Sequence, residues 1–298
     1  MDTTIKQSFL IGDEWLYYKI YTGFSTTDTI LTHHLHAVIT GLQEEGILDK
    51  WFFIRYTDPD HHIRLRVHLV NTEQLGKVML AFQECLRNLW EQNSIWKLQT
   101  DTYSREMKRY GATLITEAET IFFHDSHCIT AVLTVLEEPE SENTRWIFGM
   151  ASIDTFLDTF GYPIHEKRAV MESLREGFFK EFKVDTPTKK GLSAKYREHK
   201  NEIAAFMKTE TGALKQLLTE RNTRLAEPVV AIREKIHHSG KTLNDLLGSY
   251  IHMNMNRLFP SNNRQCEMII YDLLCSYYTT EMAIAKKQQL QKEAAAPV

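Results

Sequence analysis

The stretch WFFIRYTDPDHHIRLRVHL, residues 51–69, reads as two β-strands joined by a tight turn. Aromatic and β-branched residues dominate WFFIRY (51–56) and HIRLRVHL (62–69), and the Asp58-Pro59-Asp60 segment between them carries turn-forming chemistry, so an antiparallel hairpin is expected. Side chains alternate across a strand. Ile63, Leu65, Val67 and Leu69 therefore share one face, and Arg64, Arg66 and His68 share the other. One face is apolar and the other cationic.

Working outward, WLYYKIYT (15–22) precedes the hairpin and IWKLQTDTY (95–103) follows it, both strand-like. Between them lie helical patterns over Thr27 to Glu45, where Ile30, Leu31, His34, Leu35, Val38 and Leu42 recur at helical spacing, and over Thr72 to Gln92. The order is β-α-β-β-α-β, which suggests a ferredoxin-like antiparallel sheet. From Gly111 onward helical periodicity takes over, with segments expected near 112–124, 126–137, 144–160, 164–182, 195–218, 224–237, 242–259 and 263–288. The expected class is α+β: a sheet region over 1–110 and a mostly helical region over 111–298 packed on it in one compact domain. Pro139 and the polar residues 140–143 mark a loop, Lys183 to Gly191 reads as a linker, and the polar tail after Leu290 reads as a fraying end.

Composition narrows the function classes. In 298 residues, 43% are hydrophobic and 25% charged, which suits an ordinary globular chain with a full core. The net charge of -4 provides no general attraction for nucleic acid. The start MDTTIKQSFLIGDEW lacks the basic and apolar regions of a signal peptide and no apolar run is long enough to cross a bilayer, so a cytoplasmic location is expected. The cysteines Cys85, Cys128, Cys266 and Cys275 form no CxxC pair and have no histidine at ligand spacing. They read as buried free thiols, with no metal and no cofactor expected. Nucleophile elbows, phosphate loops and dinucleotide fingerprints are absent from the sequence.

Three features carry candidate chemistry. Arg64 and Arg66, two residues apart on one strand face, repel each other unless an anion lies between them, and guanidinium forks fit carboxylates bidentately. The alternative is a solvated face with local acidic partners. Arg105 and Arg109, in TYSREMKRYGA (102–112), either join the same anion site or are neutralised by Glu106 and Glu119. His252, inside the apolar run around Tyr250, Ile251, Met253 and Met255, is either a satisfied core histidine or a proton carrier lining a cavity.

Read together, WLYYKIYTG (15–23), residues 51–69, TYSREMKRYGA, AETIFFHDS (118–126) and IHMNMNRLF (251–259) resemble, in order and spacing, the C-terminal elimination domain of class I lantibiotic dehydratases. The same family is met as thiopeptide-type bacteriocin biosynthesis proteins. The chain departs from it at Ala112, where a second glycine is expected, and in lacking the large N-terminal glutamylation domain. The resemblance implies a lyase that expels glutamate from glutamylated Ser or Thr of a precursor peptide, leaving dehydroalanine or dehydrobutyrine. It puts Arg64 and Arg66 of an HxRxR motif, Arg105 and His252 at the catalytic positions. Arg55, Tyr56, His68, Tyr103, Arg109 and Asn256 are expected to bind substrate around them. The implied partners are the precursor peptide, leader and glutamylated core, and a separate glutamyl-tRNA-dependent glutamylating protein. A lanthipeptide cyclase and a homodimer are compatible with it, and direct nucleic-acid contact is not expected. Two other readings share the sequence: a pyridine synthase that joins two dehydroalanines by formal cycloaddition, and a non-catalytic scaffold that takes a leader peptide as an added strand.

Overall fold

The computed structural model of the chain describes residues 5–136 and 142–295. The chain folds into two compact units interleaved in sequence: Met1–Pro139 with Thr219–Asn263, and Glu140–Leu218 with Arg264–Val298. The sequence boundary drawn at residue 110 thus falls inside the first unit.

The first unit is built on a four-stranded sheet of β2 (Trp15–Thr22), β3 (Leu48–Tyr56), β4 (His62–Leu69) and β5 (Ile95–Asp101). The strand order is β3-β4-β2-β5 and every neighbouring pair is antiparallel. A separate short ladder joins β1 (Ser8–Phe9) to β6 (Tyr103–Ser104). The apolar face of β4 is fully buried, with Ile63, Leu65 and Val67 at 0% exposure. Above that face run α1 (Thr27–Thr29), a π-helical turn (Ile30–Leu35), α2 (His36–Glu44) and α3 (Leu75–Glu91). In α3 the buried residues Val78, Phe82, Leu86 and Leu89 follow helical spacing, and the Phe82 ring packs 5.2 Å from that of Tyr18. At this face the α+β expectation from residues 14–103 holds.

After β6 the unit continues through α4 (Met107–Tyr110) and α5 (Ile115–Val135), then α9 (Ala213–Lys235) from Thr219 onward and α10 (Leu243–Leu258). Two segments expected near 112–124 and 126–137 are one helix. No proline or glycine interrupts Ile115–Val135, and its Ser and Thr side chains do not break it, Thr130 and Thr134 donating back to carbonyls four residues earlier. Side chains of α5 and α10 close the outer edge of β3. Ser126 Oγ accepts from Phe53 N–H at 3.2 Å, Arg257 Nε donates to Phe53 O at 2.9 Å, and Asn256 pairs with both backbone groups of Arg55 at 2.8 and 2.9 Å. Edge backbone groups left open template unwanted pairing, and here three side chains occupy them.

The second unit is helical: α6 (Glu142–Thr159), α7 (Ile164–Glu181), α8 (Thr186–Lys208), α9 up to Leu218, and α11 (Asn263–Ala295) from Arg264. Its polar centre is Lys167, whose Nζ lies 2.7 Å from both Asp154 and Asp158, with Tyr278 Oη donating to Asp154 at 2.9 Å. The linker expected over Lys183 to Gly191 is corrected by the start of α8. Asp185 is an N-cap that accepts from Thr188 N–H at 2.9 Å, and Pro187 sits in the first turn, so the helix already begins at Thr186. The expected helix 195–218 is divided at residues 209–212, where Gly212 adopts a φ of +104°. The tail is helical to Ala295 rather than frayed. Pro139 and residues 140–141 of the expected loop lie outside the described residues, whereas Asn143 is already in α6. None of the four cysteines is in a disulfide; Cys128 and Cys275 are buried, and Cys85 and Cys266 are half-buried. No helix among the described residues is long and apolar enough to cross a membrane.

Candidate functional site

The register of β4 against β2 places Arg64 opposite Lys19, Arg66 opposite Tyr17 and His68 opposite Trp15, so these three side chains of β4 share one face. At its centre Arg66 is 8% exposed. Its guanidinium carbon lies 4.5 Å from the ring centre of Tyr17 and 5.3 Å from those of Phe52 and Tyr103. Among the described residues it has no carboxylate partner, and its buried Nε has no hydrogen-bond acceptor. Burial lowers its pKa from the ordinary arginine value, yet a guanidinium starts so high that it stays charged. Aromatic faces recover part of the lost hydration through cation–π attraction. They do not replace an anion.

Arg66 opens into a small cleft of about 30 Å³ lined by Phe52, Ile54, Tyr103, Glu106, Tyr110, Phe122, Met253 and Arg257, among others. Met253 and Arg257 are four residues apart on α10 and therefore lie on one helical stripe. Arg257 is 1% exposed: Nε donates to Phe53 O and Ser126 Oγ, Nη1 donates to Asp125 at 3.0 Å, and Nη2 has no partner among the described residues. Asp125 also accepts from Asn254 at 2.6 Å and lies 3.4 Å from Arg221. Tyr110, 2% exposed, stacks on Tyr250 at 5.6 Å and meets Phe122 edge-on at 5.1 Å, while its hydroxyl has no partner among the described residues. It ends α4, and Gly111 turns the chain there with a φ of +83°; a Cβ at that position would lie 3.1 Å from Ser239 Cβ. Ala112, the departure from the expected glycine pair, is free of that constraint because its φ is not positive.

Arg105 does not offer its fork to the cleft. Nε and Nη2 donate to the two oxygens of Glu119 at 2.7 and 2.6 Å, Nη1 donates to Lys6 O at 3.0 Å, and Tyr103 Oη donates to the same Glu119 at 2.8 Å. The Arg105 and Glu119 side chains are 9% and 3% exposed. Of the two alternatives for this arginine, neutralisation by Glu119 is the one realised, and the pair holds Tyr103 beside Arg66. Arg109 donates to Ser249 Oγ at 3.2 Å and lies 3.6 Å from Glu106, linking α4 to α10 at the rim.

The remaining sequence candidates are spread around this centre. Arg64 lies 3.4 Å over the Tyr56 ring and donates to His62 Nε2 at 3.0 Å, on the Arg66 face. His68 bonds Asp49 at 2.6 Å and packs on Trp15 at the other end of the strand. Arg55 stands on the opposite face, opposite Ile63, with Nη2 2.6 Å from Asp28 and Nε donating to Arg257 O at 3.0 Å. Asn256 is engaged by the backbone of Arg55. Both therefore hold the fold together. His252 is half-buried one stripe away from Met253 and Arg257, in line with Asn256 four residues on. Sequence reading missed Tyr110 and Arg257. The available signal was the i, i+4 relation of Arg257 to Met253 beside His252. Among the described residues no three His, Cys, Asp or Glu side chains converge as metal ligands.

Residues 15–278 match the family model described as the C-terminal part of lantibiotic biosynthesis dehydratases. The chain is 26% identical to subtilin biosynthesis protein SpaB of Bacillus subtilis over 84% of its own length, and spans 24% of that relative. It is 22% identical to epidermin biosynthesis protein EpiB of Staphylococcus epidermidis over 86% of its length, spanning 25% of that protein. Among solved structures, it resembles the tRNA-dependent lantibiotic dehydratase MibB from Microbispora sp. 107891 with a TM-score of 0.74 and 20% identity, covering 93% of this chain and 29% of that one. The pyridine synthase TbtD from thiomuracin biosynthesis matches with a TM-score of 0.65 and 12% identity over 90% of this chain and all of that one. At those identities both likenesses concern the fold.

Proposed function

Because the chain belongs to the family of lantibiotic biosynthesis dehydratase C-terminal domains, we propose that it is a lyase that expels glutamate from glutamylated Ser or Thr residues of a ribosomal precursor peptide. A base removes the α-proton, the C–H electron pair becomes the Cα=Cβ bond, and the Cβ–O bond breaks with its electrons leaving on the glutamate carboxylate. The products are dehydroalanine or dehydrobutyrine and free glutamate. A glutamyl ester carries one free carboxylate beside its amino group before the step and gains a second carboxylate when it leaves, so a carboxylate has to be held throughout.

The single observation that carries this reading is Arg66. A buried guanidinium whose Nε has no acceptor among the described residues, and whose nearest opposite charge, Glu106 across the cleft, is not in bonding contact, is costly to keep. It is retained where an incoming anion completes it. Arg64, on the same strand face and stacked over Tyr56, extends the cationic strip along which glutamate is held. Arg105 acts through Tyr103 as a positioning residue. His252, on the stripe of α10 next to that of Met253 and Arg257, is assigned the proton-carrying role by its side-chain chemistry. The closure of the β3 edge by Ser126, Arg257 and Asn256 disfavours the scaffold reading at that edge, since no peptide strand adds where the backbone is already paired. The glutamylating protein, which would use glutamyl-tRNA, is assigned to a separate activity, and a cytoplasmic setting supplies that tRNA.

The test uses the whole chain and a precursor peptide already glutamylated on Ser or Thr. Mass spectrometry is expected to show loss of the glutamyl unit together with water from the original residue, and release of glutamate. A peptide that keeps its glutamyl ester refutes the reading, and pyridine formation from a dehydrated peptide would assign the chain to cycloaddition instead.

A further inference from the structure

Three donors around the cleft have no acceptor among the described residues: Arg66 Nε, Arg257 Nη2 and the Tyr110 hydroxyl. All belong to side chains more than nine-tenths buried, and the rest of each is fixed. Arg257 is held by Asp125, Ser126 and Phe53 O, and Tyr110 by its stacking on Tyr250 and the turn at Gly111. Buried donors are nearly always satisfied, and each one left open costs about 1–3 kcal/mol. The three side chains line one cleft, whose wall also carries the Glu106 carboxylate, and fixed donors grouped in one space are a preorganised arrangement for an oxygen that takes up charge.

We propose that the Tyr110 hydroxyl, with Arg257 Nη2 and Arg66 Nε, binds the carbonyl oxygen of the residue being modified and stabilises it as that oxygen takes up negative charge. This rests on the elimination reading above. When the α-proton leaves, its electron pair delocalises onto the adjacent peptide carbonyl, giving an enolate. Collapse of the enolate forms Cα=Cβ and expels the glutamate carboxylate, returning the oxygen to a neutral carbonyl, so the donors change no bond of their own. Burial raises the Tyr110 pKa well above that of a free phenol, which keeps the proton available for donation. The phenol also makes the site selective: a hydroxyl and two guanidiniums converge on one oxygen, whereas the strip at Arg64 holds the more distant carboxylate.

Tyr110→Phe removes only the hydroxyl, which has no partner among the described residues. Its thermal midpoint is expected to equal or exceed that of the unmodified chain. With glutamylated peptide as substrate, kcat is expected to fall on the order of a hundredfold with KM little changed, because the hydrogen bond strengthens only as charge develops. Leu80→Ala, exposed on α3 above the opposite face of the sheet, serves as a comparison with kcat unchanged. If the unmodified chain expels glutamate and Tyr110→Phe does so at the same rate, the enolate role is overturned and the elimination reading stands. A rise in KM at constant kcat would overturn it too, since the hydroxyl would then bind the ground state. A lowered thermal midpoint would show that the hydroxyl serves the fold, and would likewise overturn it. If the unmodified chain expels no glutamate at all, the elimination reading fails and the enolate role with it.

Discussion

Replacing Arg105 with Met leaves the Glu119 carboxylate, whose side chain is 3% exposed, without its bidentate partner. Only the Tyr103 hydroxyl then remains to it. Breaking one side of a buried ion pair costs about 3–5 kcal/mol, because the surviving charge stays desolvated. At roughly 2–4 °C per kcal/mol, the first unit should melt about 6–20 °C lower. Removing both charges, as Arg105→Met with Glu119→Gln, leaves no buried ion and still provides an amide oxygen for Tyr103, so most of the loss should be recovered. Melting followed by circular dichroism on the two single variants and the double variant closes the cycle. A single Arg105→Met variant that melts within about 2 °C of the unmodified chain would refute the assignment of Arg105 to the framework.

Burial holds the His124 imidazole down to about 4, with Arg224, His127 and Lys50 adding repulsion, against 6.5 for the free group. His36, His61, His62 and His127 are lowered as well, chiefly by burial. The unfolded chain therefore takes up protons first, so stability is full above about pH 6.5 and is lost as pH falls from there toward 4. The urea midpoint should drop over that window and drop less in His124→Gln; a flat profile would contradict the burial of these rings. Burial also pushes the Cys128 and Cys275 thiols up to about 12, so iodoacetamide should leave both unlabelled in the native chain near pH 8 and modify them after unfolding. Rapid native labelling of either would contradict the packing around it.

Much of the sheet was legible because strand periodicity is local: the alternation within residues 62–69 fixed which side chains share a face, and the register bears that out. Helix ends were less legible. Asp185-Thr186-Pro187-Thr188 has the composition of a linker, and only the Asp185 bond to Thr188 N–H makes it a helix start. Within the candidate site, Arg66 was readable from its strand, but the fate of Arg105 depended on Glu119, fourteen residues away and brought close by α5 folding back on the sheet. Arg257 and Tyr110 were missed for a related reason. An arginine in the last turn of a helix ordinarily complements the dipole in solvent, and a tyrosine before glycine ordinarily reads as a turn. Their importance lies in what they are not bonded to, which no sequence pattern records.

The central claim is tested most directly at Arg66, which has no carboxylate to lose and whose replacement by Met should leave the fold at least as stable. In cells that contain the precursor peptide and a glutamylating protein, Arg66→Met should leave peptide carrying intact glutamyl esters, resolved by mass spectrometry, where the unmodified chain leaves dehydrated residues. Fully dehydrated peptide formed by Arg66→Met at the normal rate would contradict the account, and so would unmodified peptide alone, which would move the chain to the glutamylation step or to peptide delivery.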